Sequence, residues 1–62
     1  MEEWTKEEVK EWFINSEFKE EYPKFNNLSG KSISLFSKED IQKILKNEAH
    51  AIALYNQIKQ LN

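Results

Sequence analysis

The sequence predicts an all-α protein, a compact bundle of five helices that ends in a long C-terminal helix. Apolar residues recur three and four positions apart, which is the period of a buried helix face. Threonine or serine followed three positions later by an acidic residue marks two helix starts. No segment alternates apolar and polar residues as a half-buried strand does.

The first helix is predicted from about residue 6 to residue 15. Thr5 and Glu8 have the spacing of a capping box, in which the Thr5 hydroxyl accepts a hydrogen bond from the Glu8 amide and the Glu8 carboxylate accepts one from the Thr5 amide. The apolar residues that share its buried face are Val9, Trp12 and Phe13.

The second segment contains the only proline of the chain, Pro23. Proline is tolerated in the first turn of a helix but not in its interior. We therefore expect this helix to begin at residues 20–22 and to end around residues 26–27. Phe18 then lies in the connecting stretch, where Ser16 is the expected N-cap.

The clearest turn of the chain surrounds its only glycine, Gly30. We expect Gly30 to supply a backbone conformation that other residues would resist. A short third helix should follow from about Ser32. Its apolar residues are Ile33, Leu35 and Phe36.

Ser37 and Asp40 resemble a second capping box, and they should open the fourth helix. Asn47 is the expected N-cap of the last and longest helix, from residue 48 to about residue 61. A 3-4-3 spacing of apolar residues defines its buried stripe: Ala51, Leu54, Ile58 and Leu61.

The chain has 62 residues, of which 39% are hydrophobic, so it is predicted to be one domain that needs nearly every large apolar residue in its core. Trp4 and Trp12 are interpreted as core anchors rather than as a binding platform, and Trp4 is expected to pack over the last helix. The abrupt end indicates a module of a longer polypeptide. The predicted core comprises Trp4, Val9, Trp12, Phe13, Tyr22, Phe25, Leu28, Leu35, Ile41, Leu54, Ile58 and Leu61.

Composition argues against several classes of function. His50 is the only histidine and cysteine is absent, so no metal site is expected. The carboxylate pairs, such as Glu7-Glu8, are adjacent residues that point in different directions on a helix, which does not favour acid/base catalysis. We expect no enzymatic activity and no cofactor. No signal peptide and no apolar run of about 20 residues is present, so no membrane attachment and a cytoplasmic or nuclear location are expected.

Charge is unevenly distributed around a net value of −2. Residues 1–21 hold eight Glu against three Lys, whereas residues 22–62 hold three acidic residues against six Lys. If the two halves lie on different faces, one copy would attract the opposite face of another. Two ordinary solvated faces are the alternative.

In their order and spacing, groups of residues along almost the whole chain resemble the sterile alpha motif (SAM) domain, a five-helix interaction module. The matching groups are Trp4-Thr5 with Glu8-Val9 and Trp12-Phe13; Tyr22 and Phe25; Leu28-Ser29-Gly30; Leu35-Phe36-Ser37 with Glu39-Asp40-Ile41; and Ala49-His50 with Ile52, Leu54, Ile58 and Leu61. The chain departs from the family pattern at Ser29, at Ile44-Leu45 and at the alanines that flank His50.

The resemblance implies association with another SAM domain, of the same or of another protein, through two surfaces. The predicted middle surface comprises Glu20, Glu21, Lys31, Glu39 and Asp40. The predicted last-helix surface comprises Lys43, Lys46, Glu48, Ala49, His50 and Ala53. Some SAM domains instead bind RNA hairpins through a basic patch at the start of the last helix, but the chain has no arginine and this region lacks fixed positive charge. Protein association is therefore the favoured function, and RNA binding is the alternative.

Overall fold

Residues 1–61 are described by a computed structural model, and they form four α-helices and one 3-10 helix. In chain order the helices are α1 (Lys6–Ile14), η1 (Lys19–Phe25), α2 (Gly30–Ser34), α3 (Lys38–Leu45) and α4 (Glu48–Leu61). The all-α class, the five helices and the long last helix are confirmed within residues 1–61. No helix in this range is both long enough and apolar enough to cross a membrane.

Both predicted capping boxes are present. The Glu8 amide donates to Thr5 Oγ1 at 3.2 Å and the Thr5 amide donates to Glu8 Oε1 at 2.9 Å. The equivalent distances between Ser37 and Asp40 are 3.1 and 3.0 Å. Asn47 is confirmed as the N-cap of α4, since its Oδ1 accepts a hydrogen bond from the amide three residues later at 3.0 Å. These caps satisfy amides that have no partner inside their helices.

The second segment differs from the prediction because it is a 3-10 helix that begins at Lys19 and contains Pro23. Such turns serve as short connectors. Ser16 is not its N-cap: the Ser16 hydroxyl donates to the Phe13 carbonyl at 2.9 Å and accepts from the Phe18 amide at 3.0 Å, which links the end of α1 to η1. This link turns Phe18 into the core, where it is fully buried.

Gly30 is required because there is no room for a side chain at this position, and not because its backbone conformation excludes other residues. Its φ lies outside the left-handed region, so the predicted reason is wrong. Gly30 is the first residue of α2, which starts earlier than predicted because Ser29 is the N-cap. The Gly30 amide donates to the Trp4 carbonyl at 3.0 Å. A Cβ atom at Gly30 would overlap the Met1 carbonyl oxygen and lie 3.0 Å from Trp4 Cβ.

The core lies between α1, η1, α3 and α4, and α3 packs most extensively on α4. Its buried apolar residues are Met1, Val9, Phe13, Phe18, Phe25, Ile33, Ile41, Leu45, Ala51, Leu54 and Ile58. The other predicted core residues, except one, are half-buried and pack against this cluster: Trp4, Trp12, Tyr22, Leu28 and Leu61. The exception is Leu35, which is 75% exposed, so its assignment to the core is wrong. Leu35 is the C-cap of α2 and lies two residues after the buried Ile33, and residues two positions apart on a helix point in nearly opposite directions.

The two ends of the described chain meet at Met1. The Met1 amino group donates to the Leu61 carbonyl at 2.9 Å, and the Met1 carbonyl accepts from the Trp4 amide at 2.9 Å. A positive charge at the C-terminal end of a helix is favourable because the free carbonyls there carry partial negative charge. Trp4 follows this junction, and its ring packs against that of Trp12 with centroids 6.4 Å apart.

Candidate interaction surfaces

The predicted last-helix surface is built on the sharp turn between α3 and α4. Lys46 has a φ of 57°, in the left-handed region, and its amide donates to the Gln42 carbonyl at 2.9 Å. This geometry ends α3, and Asn47 caps α4 immediately afterwards. Because only two residues separate the helices, the first turn of α4 is presented at a corner of the domain.

A shallow, open depression lies at this corner. Its lining residues are Glu17, Asn47, Ala49, His50 and Ala53. The two alanines are one helical turn apart, and their small side chains allow another chain to approach the α4 backbone closely. Glu17 comes from the connection between α1 and η1 and was not predicted as a site residue. The lining residues therefore contain one fixed negative charge and no lysine.

His50 is held at the edge of this depression by an aromatic and a polar neighbour. Its ring centroid lies 5.0 Å from that of Phe18 at an interplanar angle of 33°. Its Nδ1 lies 3.8 Å from Glu21 Oε1, a contact that becomes an ion pair when the imidazole is protonated. The His50 side chain is 33% exposed, so it contributes both to packing and to the surface.

Glu21 brings the two predicted surfaces into contact. It was assigned to the middle surface, yet it lies beside His50 of the last-helix surface and also pairs with Lys24 at 3.0 Å. Glu20 is exposed on the same 3-10 helix. Glu21 of η1 therefore adjoins the start of α4, which could not be inferred from the separation of residues 21 and 50 in the chain.

The remaining residues of the middle surface are exposed on α2 and α3: Lys31, Glu39 and Asp40. The Ser37 amide, the Ser37 hydroxyl and the positive charge of Lys43 hold the pKa of Asp40 below its ordinary value. Asp40 thus remains ionised at neutral pH while it caps α3. Of the predicted last-helix residues, Lys43, Lys46, Glu48 and Ala49 are exposed, and His50 and Ala53 are half-buried.

Leu35 is a surface residue that the sequence reasoning missed. It lies in the connection between α2 and α3, four residues before Glu39, with 75% of its surface exposed. Single exposed apolar side chains are common on protein surfaces, and such a side chain anchors an interface only where a partner buries it. The shortness of the predicted third helix was the available signal, because one turn buries few side chains.

The described residues contain no arrangement suited to metal binding: within residues 1–61, no three His, Asp or Glu side chains are grouped closely enough to hold an ion.

The comparisons with known proteins identify the family. The sequence profile of the SAM domain (sterile alpha motif) matches residues 1–59. Comparisons with curated proteins and with solved structures gave no match. SAM domains are generally non-catalytic protein-interaction modules. Since the match spans nearly all of the five helices described above, the chain belongs to the SAM domain family.

Proposed function

We propose that this domain is a non-catalytic module that associates with another SAM domain, either a second copy or a domain of another protein. In this proposal the middle surface of one domain meets the last-helix surface of the other. The observations that support it are the exposed side chain of Leu35 and, at the start of α4, a shallow depression lined by the small side chains of Ala49 and Ala53 that could receive it.

Apolar contact is the main source of affinity in this arrangement. Full burial of a leucine side chain contributes about 1.5–3 kcal/mol. The charges are exposed and of mixed sign, so they chiefly steer the encounter of the two domains. Lys46 complements Glu39 and Asp40 of a partner domain. Lys43 lies one turn from both on α3 and already acts on Asp40 within its own domain, and Glu17 weakens the positive potential beside the depression. We therefore expect association that depends moderately on salt.

The test is sedimentation of the chain over a range of protein and salt concentrations. Self-association should increase with concentration, and Leu35→Ala should weaken it about 10- to 100-fold, which corresponds to the burial of one leucine. Because Leu35 lies largely in solvent, this variant should melt at the wild-type temperature. Ile14→Ala is the matched control, since Ile14 is an aliphatic residue 41% exposed on α1, outside both surfaces.

A variant of the opposite surface completes the test. Ala49→Glu places a charge in the hollow at an exposed position and should abolish association without loss of helix content. A wild-type chain that stays monomeric at millimolar concentration excludes self-association, and binding must then be sought with a SAM domain of another protein. If Leu35→Ala and Ala49→Glu both associate like the wild type, the proposed pair of surfaces is wrong.

The RNA-binding alternative has no support at this surface. Binding to phosphates requires lysine or arginine to replace counterions, and the depression at the start of α4 is lined by Glu17 and by no lysine. A gel-shift titration at low salt separates the two functions, since tight binding there would favour RNA over a second SAM domain.

A further inference from the structure

A second open depression is lined by residues that belong to neither predicted surface: Trp4, Glu8, Glu11, Trp12 and Asn15. The two indole rings have centroids 6.4 Å apart and are tilted by 56°. Both tryptophans are half-buried, so each anchors the core with one part of its ring and offers another part to solvent. Their role in the core does not account for the exposed ring surface.

The walls of this depression are held in place before any ligand arrives. The Trp12 ring packs edge-on against the Phe13 ring, with centroids 5.0 Å apart, and stacks on the Phe18 ring, with centroids 6.1 Å apart. The Trp4 backbone is hydrogen-bonded through its amide and its carbonyl, and the Glu8 carboxylate is held by the Thr5 amide. A preorganised site loses little conformational freedom when it binds a ligand.

The chemistry of the lining favours a cation. Glu8 and Glu11 are the charged residues of the lining, and no lysine accompanies them. The face of an indole ring attracts cations more strongly than any other side-chain ring. Trp4 also borders a neighbouring hollow with Met1, Glu2 and Glu3, where two carboxylates outnumber the Met1 amino group, which is hydrogen-bonded to the Leu61 carbonyl.

Among cationic side chains, the arginine side chain fits this lining best. Its planar guanidinium group stacks on an aromatic ring and donates several hydrogen bonds to carboxylates at the same time. Residues 1–62 contain no arginine, so a second copy of this domain does not supply this group. We propose that the depression between Trp4 and Trp12 binds an arginine of a basic segment in a different protein, independently of the association with SAM domains.

The experiment is a nuclear magnetic resonance titration of the ¹⁵N-labelled chain with a blocked basic peptide that carries one arginine between lysines. Both indole N–H signals should shift saturably at millimolar peptide. The same peptide with citrulline in place of arginine is the ligand control, because it keeps the shape of the side chain and removes its charge. It should produce much smaller shifts.

Two variants locate the site. Glu11→Gln should weaken binding about two- to fivefold, as expected for the loss of one exposed charge interaction. Glu7→Gln is the matched control, since Glu7 is exposed on the same helix but does not line the depression. The proposal is overturned if the indole signals do not move, if the citrulline peptide binds equally well, or if the two variants behave alike. Leu35→Ala should leave this titration unchanged, which separates it from the proposed association.

Discussion

Replacement of Gly30 by alanine should destabilise the domain, although alanine normally strengthens a helix. Gly30 lies at the start of α2 with a φ that alanine can adopt. The methyl group would overlap the Met1 carbonyl oxygen, and Trp4 Cβ at 3.0 Å closes the other side. The segment that contains Met1 must therefore move away from α2.

The magnitude follows from what Met1 contributes. Met1 is only 9% exposed and belongs to the core, and burial of a methionine contributes about 1.5–3 kcal/mol. Displacement also breaks the hydrogen bond from the Met1 amino group to the Leu61 carbonyl, for which about 1 kcal/mol is typical. The higher helix propensity of alanine offsets this loss by at most about 1 kcal/mol. We expect a net loss of about 2 kcal/mol, which in a domain of this size lowers the melting temperature by about 8–16 °C.

The assay is thermal unfolding followed by circular dichroism, with urea unfolding as a second measure of the free energy of unfolding. The control is the same substitution in a synthetic chain that begins at Glu2, where the Met1 carbonyl is absent. There Gly30→Ala should cost much less, because only the contact with Trp4 remains. If Gly30→Ala in the full chain melts at or above the wild-type temperature, the proposed overlap between the alanine methyl group and the Met1 carbonyl is refuted. An equal loss in both chains would instead indicate a requirement of the backbone at Gly30.

Two further substitutions test the core and the second capping box. Trp12→Ala should cost about 3 kcal/mol, because the indole packs against Phe13 and Phe18, and this loss is comparable with the whole stability of a small domain; an unchanged thermal melt would contradict it. The hydrogen bond from the Ser37 amide, and to a lesser extent that from the Ser37 hydroxyl, holds the pKa of Asp40 below its ordinary value of 3.8. The stability that the ionised carboxylate contributes is therefore present above pH 3.8 and is lost as the pH falls further. Asp40→Asn should therefore lose less stability than the wild type in acid unfolding below pH 3.8, and an unchanged acid profile would exclude this contribution.

The candidate surfaces were predictable where they depend on one helix and unpredictable where they combine distant segments. Ala49, His50 and Ala53 fall three and four residues apart on α4, so their proximity follows from helical periodicity. Glu17 and Glu21 join them only because η1 packs near the start of α4. No pattern in the sequence relates these acidic residues to His50.

The sequence by itself determined the helix starts of α1, α3 and α4, because each is fixed by hydrogen bonds between residues three positions apart. Such contacts form within one turn and do not depend on the rest of the chain. Tertiary structure alone decided why Gly30 is a glycine and why Glu21 lies beside His50. Both outcomes depend on contacts between segments that are distant in the chain, and these contacts exist only once the helices have packed.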